Sequence, residues 1–138
     1  MFSKMKMNEF TEGSYLELKK LLDEADTVLI GGGSGLSTSA GFIYSGPYFN
    51  RYFFDFIEKY IFSDMYSGGF NPFETSEEFW AYWSRYIYIN RYMDPPKDTY
   101  KKCFEIVKDK DHFVHTTNVD HGFQKTGFRE RENFLHSR

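Results

Sequence analysis

Hydrophobic positions recur at helical spacing in the first part of the chain. Between Tyr15 and Ala25, the residues Leu16, Leu18, Leu21, Leu22 and Ala25 alternate with Glu and Lys, which predicts an amphipathic helix. The period then changes. Thr27-Val28-Leu29-Ile30 is a short β-branched and apolar run closed by glycine, the pattern of a buried parallel strand delivering its chain to a turn. A helix is expected to begin in Ser37 to Phe42, with Ser37 or Thr38 as its N-cap. From Phe49 to Phe62 the chain is dense in Phe, Tyr and Ile, broken by Asp55, Glu58 and Lys59, and reads as helical. Ser67-Gly68-Gly69-Phe70-Asn71-Pro72 marks a turn. Thr75-Ser76-Glu77-Glu78 has the form of a capping box, starting a helix whose face is Phe79, Tyr82, Trp83, Tyr86, Ile87 and Asn90 and which Pro95-Pro96 stops. Thr99 to Val107 predicts another short helix. His112-Phe113-Val114-His115-Thr116-Thr117 alternates as a second strand, ending at Asn118-Val119-Asp120.

Helix, strand, glycine turn, helical insert, helix and strand together predict an α/β fold with a Rossmann-like parallel sheet joined by crossovers. The aromatic-rich helical insert occupies roughly residues 45–96. A doubly wound domain has further strands after its second one, so the expectation is a single N-terminal part of such a domain, with an exposed sheet edge that favours aggregation.

Composition narrows the classes of function. At 138 residues the chain is one domain's worth, and its net charge of −3 displays no basic surface for nucleic acid or anionic membrane. The single cysteine, Cys103, can build neither a disulfide framework nor a four-thiolate zinc site, and fits a reducing, cytoplasmic setting. No stretch has the length of a membrane span, and Met1 to Met7 lacks the apolar segment of a signal peptide. The aromatic content of 21% is concentrated in the middle of the chain, where it favours packing over disorder.

The candidate chemistry lies at the two strand ends. Glycines after a strand and before a helix let the backbone approach phosphate oxygens, although the same residues also make a tight turn that binds nothing. Gly33-Ser34-Gly35-Leu36-Ser37-Thr38 lacks the third glycine of G-x-G-x-x-G, and no acidic strand end follows where a ribose-binding carboxylate belongs. Without a lysine after the glycines it is not a P-loop either. His112, His115 and His121 have no ligand spacing, so no metal is indicated. Arg85, Asn90 and Arg91, on the aromatic helix, either line a cleft or are solvated.

Gly33-Ser34-Gly35-Leu36-Ser37-Thr38-Ser39-Ala40-Gly41 resembles the G-A-G-x-S-x-x-x-G loop of the sirtuin (Sir2) family. Thr116-Thr117-Asn118-Val119-Asp120 resembles its T-Q-N-I-D segment, and Gln124-Lys125-Thr126-Gly127 its H-x-x-A-G stretch. Where sirtuins continue into P-D-F-R this chain has Ile43-Tyr44-Ser45-Gly46, and Thr117 replaces a glutamine. With Asp64 to Phe70 and Trp80 to Arg85, these departures look like the microbial, macrodomain-linked branch. The resemblance implies an enzyme that cleaves NAD, used as co-substrate, to nicotinamide and transfers ADP-ribose to a protein acceptor such as a lipoylated or acylated carrier protein. The alternatives are an NAD-dependent lysine deacetylase or deacylase, or a non-catalytic NAD-binding remnant. By the same resemblance Gly33, Ser34, Gly35 and Ser37 hold the diphosphate, Asn118 contacts the ribose, Asp120 grips the nicotinamide carboxamide, and His136 stands near the position of the family's histidine base. Zinc is expected only in a C-terminal part outside this chain.

Overall fold

The computed structural model describes residues 12–128 together with Phe134 and Leu135. It is an α/β fold. Helix α1 (Glu12–Glu24) leads to strand β1 (Thr27–Gly32), α2 (Ser34–Ser39), α3 (Gly46–Tyr60), α4 (Met65–Gly68) and α5 (Ser76–Ile87). A π-helical turn (Tyr88–Tyr92), α6 (Thr99–Val107), β2 (Asp111–Thr116), α7 (Gly122–Lys125) and β3 (Phe134–Leu135) complete it. The sheet order is β1-β2-β3 and both pairings are parallel. Thr27 stands opposite Asp111 and Gly32 opposite Thr116, so the two motif-bearing strand ends finish level with each other.

Two hydrophobic clusters organise the chain. Ala40, Phe42, Tyr100, Val107, Val114, Phe123 and Phe128 form the first, with Val28, Ile30 and Leu36 packed against it. The second lies inside the predicted insert and is built from Phe49, Phe53, Phe56, Met65, Tyr82 and Ile89, ringed by further aromatics. Most of its rings meet edge-on or tilted, as between Phe56 and Tyr82 at 5.2 Å, an arrangement their quadrupoles favour. The chain returns from this module by pinning itself to the end of α2. There Gly41 adopts φ +98°, a left-handed conformation that suits glycine, and a Cβ would lie 2.8 Å from Pro96. The Lys97 amide donates to the Ala40 carbonyl at 3.0 Å beside it.

Several boundaries differ from the sequence expectation. Helix α2 starts at Ser34, not at Ser37, and its N-cap is Gly33, because the side chains proposed as caps are engaged elsewhere. Thr38 bonds back to the Ser34 carbonyl at 3.0 Å, and Ser37 turns toward β2. Gly31 and Gly32 belong to the strand; Gly32 is where the Phe123 ring packs, and a Cβ there would lie 2.7 Å from that ring. β1 is covered on one face only: Val28 and Ile30 are half-buried, but Leu29 is 67% exposed, as is the Phe113 opposite it to a lesser degree. Helix α1 forms as expected yet buries no residue. Beyond α7 a short strand, β3, pairs in parallel with β2.

Thr75 caps α5 by accepting from the Glu78 amide at 3.2 Å, while the Glu78 carboxylate reaches across to Lys59 and to the Tyr60 hydroxyl. Arg85 ties α5 to α3: its Nη2 donates to Asp55 at 2.9 Å, and the guanidinium lies over the Phe53 and Phe56 rings. The hydrogen bond from Arg85 holds the Asp55 carboxyl below the usual carboxylate range. A depressed folded-state pKa contributes stability above the unfolded pKa of about 4, lost as pH falls through the folded value. Asp55→Asn is therefore expected to lower the urea midpoint slightly at pH 7, and the gap to wild type should close as pH falls through and below the usual carboxylate range. A gap independent of pH would assign the effect to packing.

Candidate functional site

The level ends of β1 and β2 are locked together by side chains. Thr116 Oγ1 donates to the Gly32 carbonyl at 2.7 Å and accepts from the Asn118 amide at 3.0 Å. Asn118 Nδ2 donates to the Gly33 carbonyl at 2.8 Å across a sequence separation of 85 residues. The glycine turn and the Thr-Asn-Val-Asp segment thus meet. They form the floor of a cleft of about 620 Å³ lined by Ser34, Ser37, Thr38, Phe42, Ile43, Tyr44, Ser45, Asn90, Thr117, Asn118, Val119 and Asp120. That volume is within the range of small-molecule sites.

Asp120 is 5% exposed. Ser37 Oγ donates to its Oδ2 at 2.6 Å, Tyr100 OH donates to the same oxygen at 2.7 Å, and the Gly122 amide donates to Oδ1 at 2.8 Å. An ionised carboxylate has about four acceptor positions, and three of them are taken within the protein. The turn that closes this arrangement puts His121 at φ 56°, a left-handed conformation that is costly for a residue with a Cβ and is found where surroundings over-determine the backbone. Burial, reinforced by the bond to Asp120, holds the Tyr100 hydroxyl well above the usual phenol range, so it remains a donor. Tyr100 Oη also lies 3.4 Å from both Asn118 Nδ2 and Ser37 Oγ. Nothing in the sequence marks Tyr100 as a member of this cluster; its position on α6 is local, and its partners come from two distant segments.

The glycines divide by role. Gly32 is needed for packing, whereas added Cβ atoms at Gly33 and Gly35 would meet nothing within 4 Å. Gly33 is extended, at φ −114° and ψ −171°, a conformation open to any residue. Neither the backbone nor the packing requires glycine at these two positions.

The helical module supplies the facing wall. The Met93 amide bonds to the Tyr88 carbonyl at 3.0 Å, an i to i+5 contact that makes the π-helical turn. Such turns recur at functional sites. This one buries Asn90, of which 4% is exposed. Arg91 Nη1 donates to the Val119 carbonyl at 3.4 Å, joining the turn to the end of β2. Of the three polar residues singled out on this helix, Arg85 is a packing element of the module, Arg91 bridges to the site, and Asn90 lines it. Asn90 Oδ1 is buried with no partner among the described residues. An unmet acceptor of this kind costs on the order of 1–3 kcal/mol.

His136 lies outside the described residues. Among the described residues no group of His, Cys, Asp and Glu is placed to hold a metal ion, and no helix is long and apolar enough to cross a membrane. Burial pushes the Cys103 thiol up, away from the thiolate form that a nucleophile needs.

No family model matches the chain. It is similar to a protein named protein ADP-ribosyltransferase from Staphylococcus aureus (strain Mu50 / ATCC 700699), with 41% identity over 106 residues. The matched region covers 77% of this chain and 34% of that protein, so the chain is similar, over three quarters of its length, to about one third of a protein ADP-ribosyltransferase.

Proposed function

We propose that this chain contributes the NAD site of a sirtuin-type protein ADP-ribosyltransferase, acting in the cytoplasm on a protein acceptor such as a lipoylated or acylated carrier protein. The observation that carries the proposal is the bond from Asn118 to the Gly33 carbonyl, which sets both motif segments in one cleft of suitable size. The similarity to a protein ADP-ribosyltransferase supports the direction of transfer.

In this reading the diphosphate lies against Gly33, Ser34 and Gly35, where the backbone is open, with Ser37 behind them. Asn118 addresses the ribose. Asp120 stands at the carboxamide end, its remaining acceptor position available while Ser37, Tyr100 and Gly122 fix its orientation. The bond from C1′ to the nicotinamide nitrogen breaks, its electron pair neutralises the pyridinium, and an acceptor side chain donates a lone pair to C1′ and gives up its proton. Positive charge grows on the sugar as the bond stretches, so fixed dipoles and the nearby carboxylate lower the barrier. The residues Ile43 to Gly46 line this cleft through Ile43, Tyr44 and Ser45 in place of P-D-F-R, which favours ADP-ribosyl transfer over deacylation.

Incubation of the protein with NAD and an acylated or lipoylated carrier protein, followed by mass spectrometry of the carrier, tests the reading. Addition of an ADP-ribosyl group is expected. Loss of the acyl group would instead establish a deacylase, and an unchanged carrier with intact NAD would leave a binding remnant. In an active preparation Asn118→Ala is expected to lower nicotinamide release by about 10²- to 10³-fold. Its stability should change by only about 1 kcal/mol, for one lost hydrogen bond. Gly35→Ala tests the diphosphate assignment in the opposite sense. With open space around an exposed helical glycine, the substitution is expected to stabilise the fold by about 0.5–1 kcal/mol while weakening NAD binding. A stabilised variant with wild-type NAD affinity would move the diphosphate elsewhere.

A further inference from the structure

The orientation of Asn90 is fixed by its nitrogen. Nδ2 donates to the Tyr86 carbonyl at 2.9 Å and lies 3.6 Å from the Met65 sulfur. Exchanging the two amide atoms would set an oxygen against the Tyr86 carbonyl oxygen at that separation, so the network dictates the assignment. The other end, Oδ1, is an acceptor without a donor, on a nine-tenths buried residue of the cleft wall. Native structures leave few such groups, and one beside a cleft points to a ligand that supplies the missing donor.

We propose that Asn90 is a ligand-binding residue whose Oδ1 accepts an N–H from the primary carboxamide of the nicotinamide ring. The inference rests on the NAD reading of the cleft. Its position follows from the floor: the open glycines place the diphosphate, Asn118 follows with the ribose, and Val119 lies next. The Val119 carbonyl is joined to Arg91, the neighbour of Asn90. The group beyond the ribose is therefore the one that reaches Asn90. A primary amide carries two N–H donors, and Asp120, with three donors of its own, has room for one of them. Asn90 accepts the second. The helical module is then part of the recognition site rather than a support behind it.

The test compares NAD with 3-acetylpyridine adenine dinucleotide, in which a methyl ketone replaces the amide and no N–H remains, by calorimetric titration of the purified protein. Wild type is expected to bind NAD about tenfold more tightly. Asn90→Ala should reduce that preference to about threefold, the share that the Asp120 contact retains. Asn90→Leu, which fills a similar volume without polar atoms, is expected to do the same and guards against a cavity that unfolds the Ala variant. A purely structural role would weaken both nucleotides equally, so a preference undiminished from wild type in either folded variant overturns the assignment. So does a wild type that binds both nucleotides alike, and in those two cases the NAD reading survives. A folded wild type that binds neither nucleotide overturns both.

Discussion

Gly122→Ala is expected to destabilise the protein by about 3 kcal/mol, at the upper end of what overpacking produces. An added Cβ would lie 2.2 Å from Tyr100 Cε2, 2.3 Å from Cζ and 2.5 Å from Cδ2, contacts that no rotamer of a methyl group can relieve. Tyr100 is fully buried and its ring packs edge-on against Phe123 at 4.9 Å, so it has no empty space to enter. Moving it also breaks the 2.7 Å bond to Asp120. With total stabilities of about 5–15 kcal/mol, a loss of this size is large. It should appear as a reduced urea midpoint together with loss of ligand binding. A variant with a midpoint close to wild type would mean that α7 shifts relative to α6 at little cost.

Asp120→Ala is expected to cost about as much, roughly 3 kcal/mol, by the opposite route. No clash arises, but the Tyr100 hydroxyl and the Gly122 amide lose their acceptor in a buried place, and the Ser37 hydroxyl loses its nearest partner. Asp120→Asn keeps the shape and one acceptor oxygen while presenting an NH₂ to a donor, so about half the loss is expected. A double-mutant cycle with Tyr100→Phe separates the shared bond from the rest: the coupling should be about 1 kcal/mol or more for residues in direct contact. Additive effects would show that the carboxylate and the phenol act independently.

The legible parts of the fold are those with local causes. The change from helical to strand spacing at Thr27 and the Thr75 cap are each set by neighbouring residues, and the elements formed there, whereas the helix expected to run to Pro95-Pro96 gives way to the π-helical turn at Tyr88 and ends at Tyr92. What was not legible depends on distant partners. Leu29 and, on α1, Leu16, Leu18 and Leu21 have the composition of buried positions, yet which face a neighbour covers is decided by tertiary contacts, and those side chains remain exposed. Gly31 to Gly35 reads as one loop, but Phe123 claims Gly32 for packing while Gly33 and Gly35 stay open. In the candidate site, Asn118 and Asp120 were visible as a strand end paired with the glycine turn. Tyr100 was not, and Asn90 was distinguishable from Arg85 and Arg91 only once the π-helical turn had buried it.

The bond from Thr116 to Gly32 spans 84 residues of sequence, whereas the aromatic contacts of the module, such as Phe53 to Tyr82, span about a third of that. Loop closure over longer stretches costs more entropy and is slower to be rewarded by contacts. The aromatic module can therefore condense from near neighbours first and act as a compact staple within the long crossover, shortening the effective distance between the two strands. The cleft comes into being at the end of this sequence, when β1 finds β2. Its integrity is a late property of folding, and ligand that binds there acts on the final closing step.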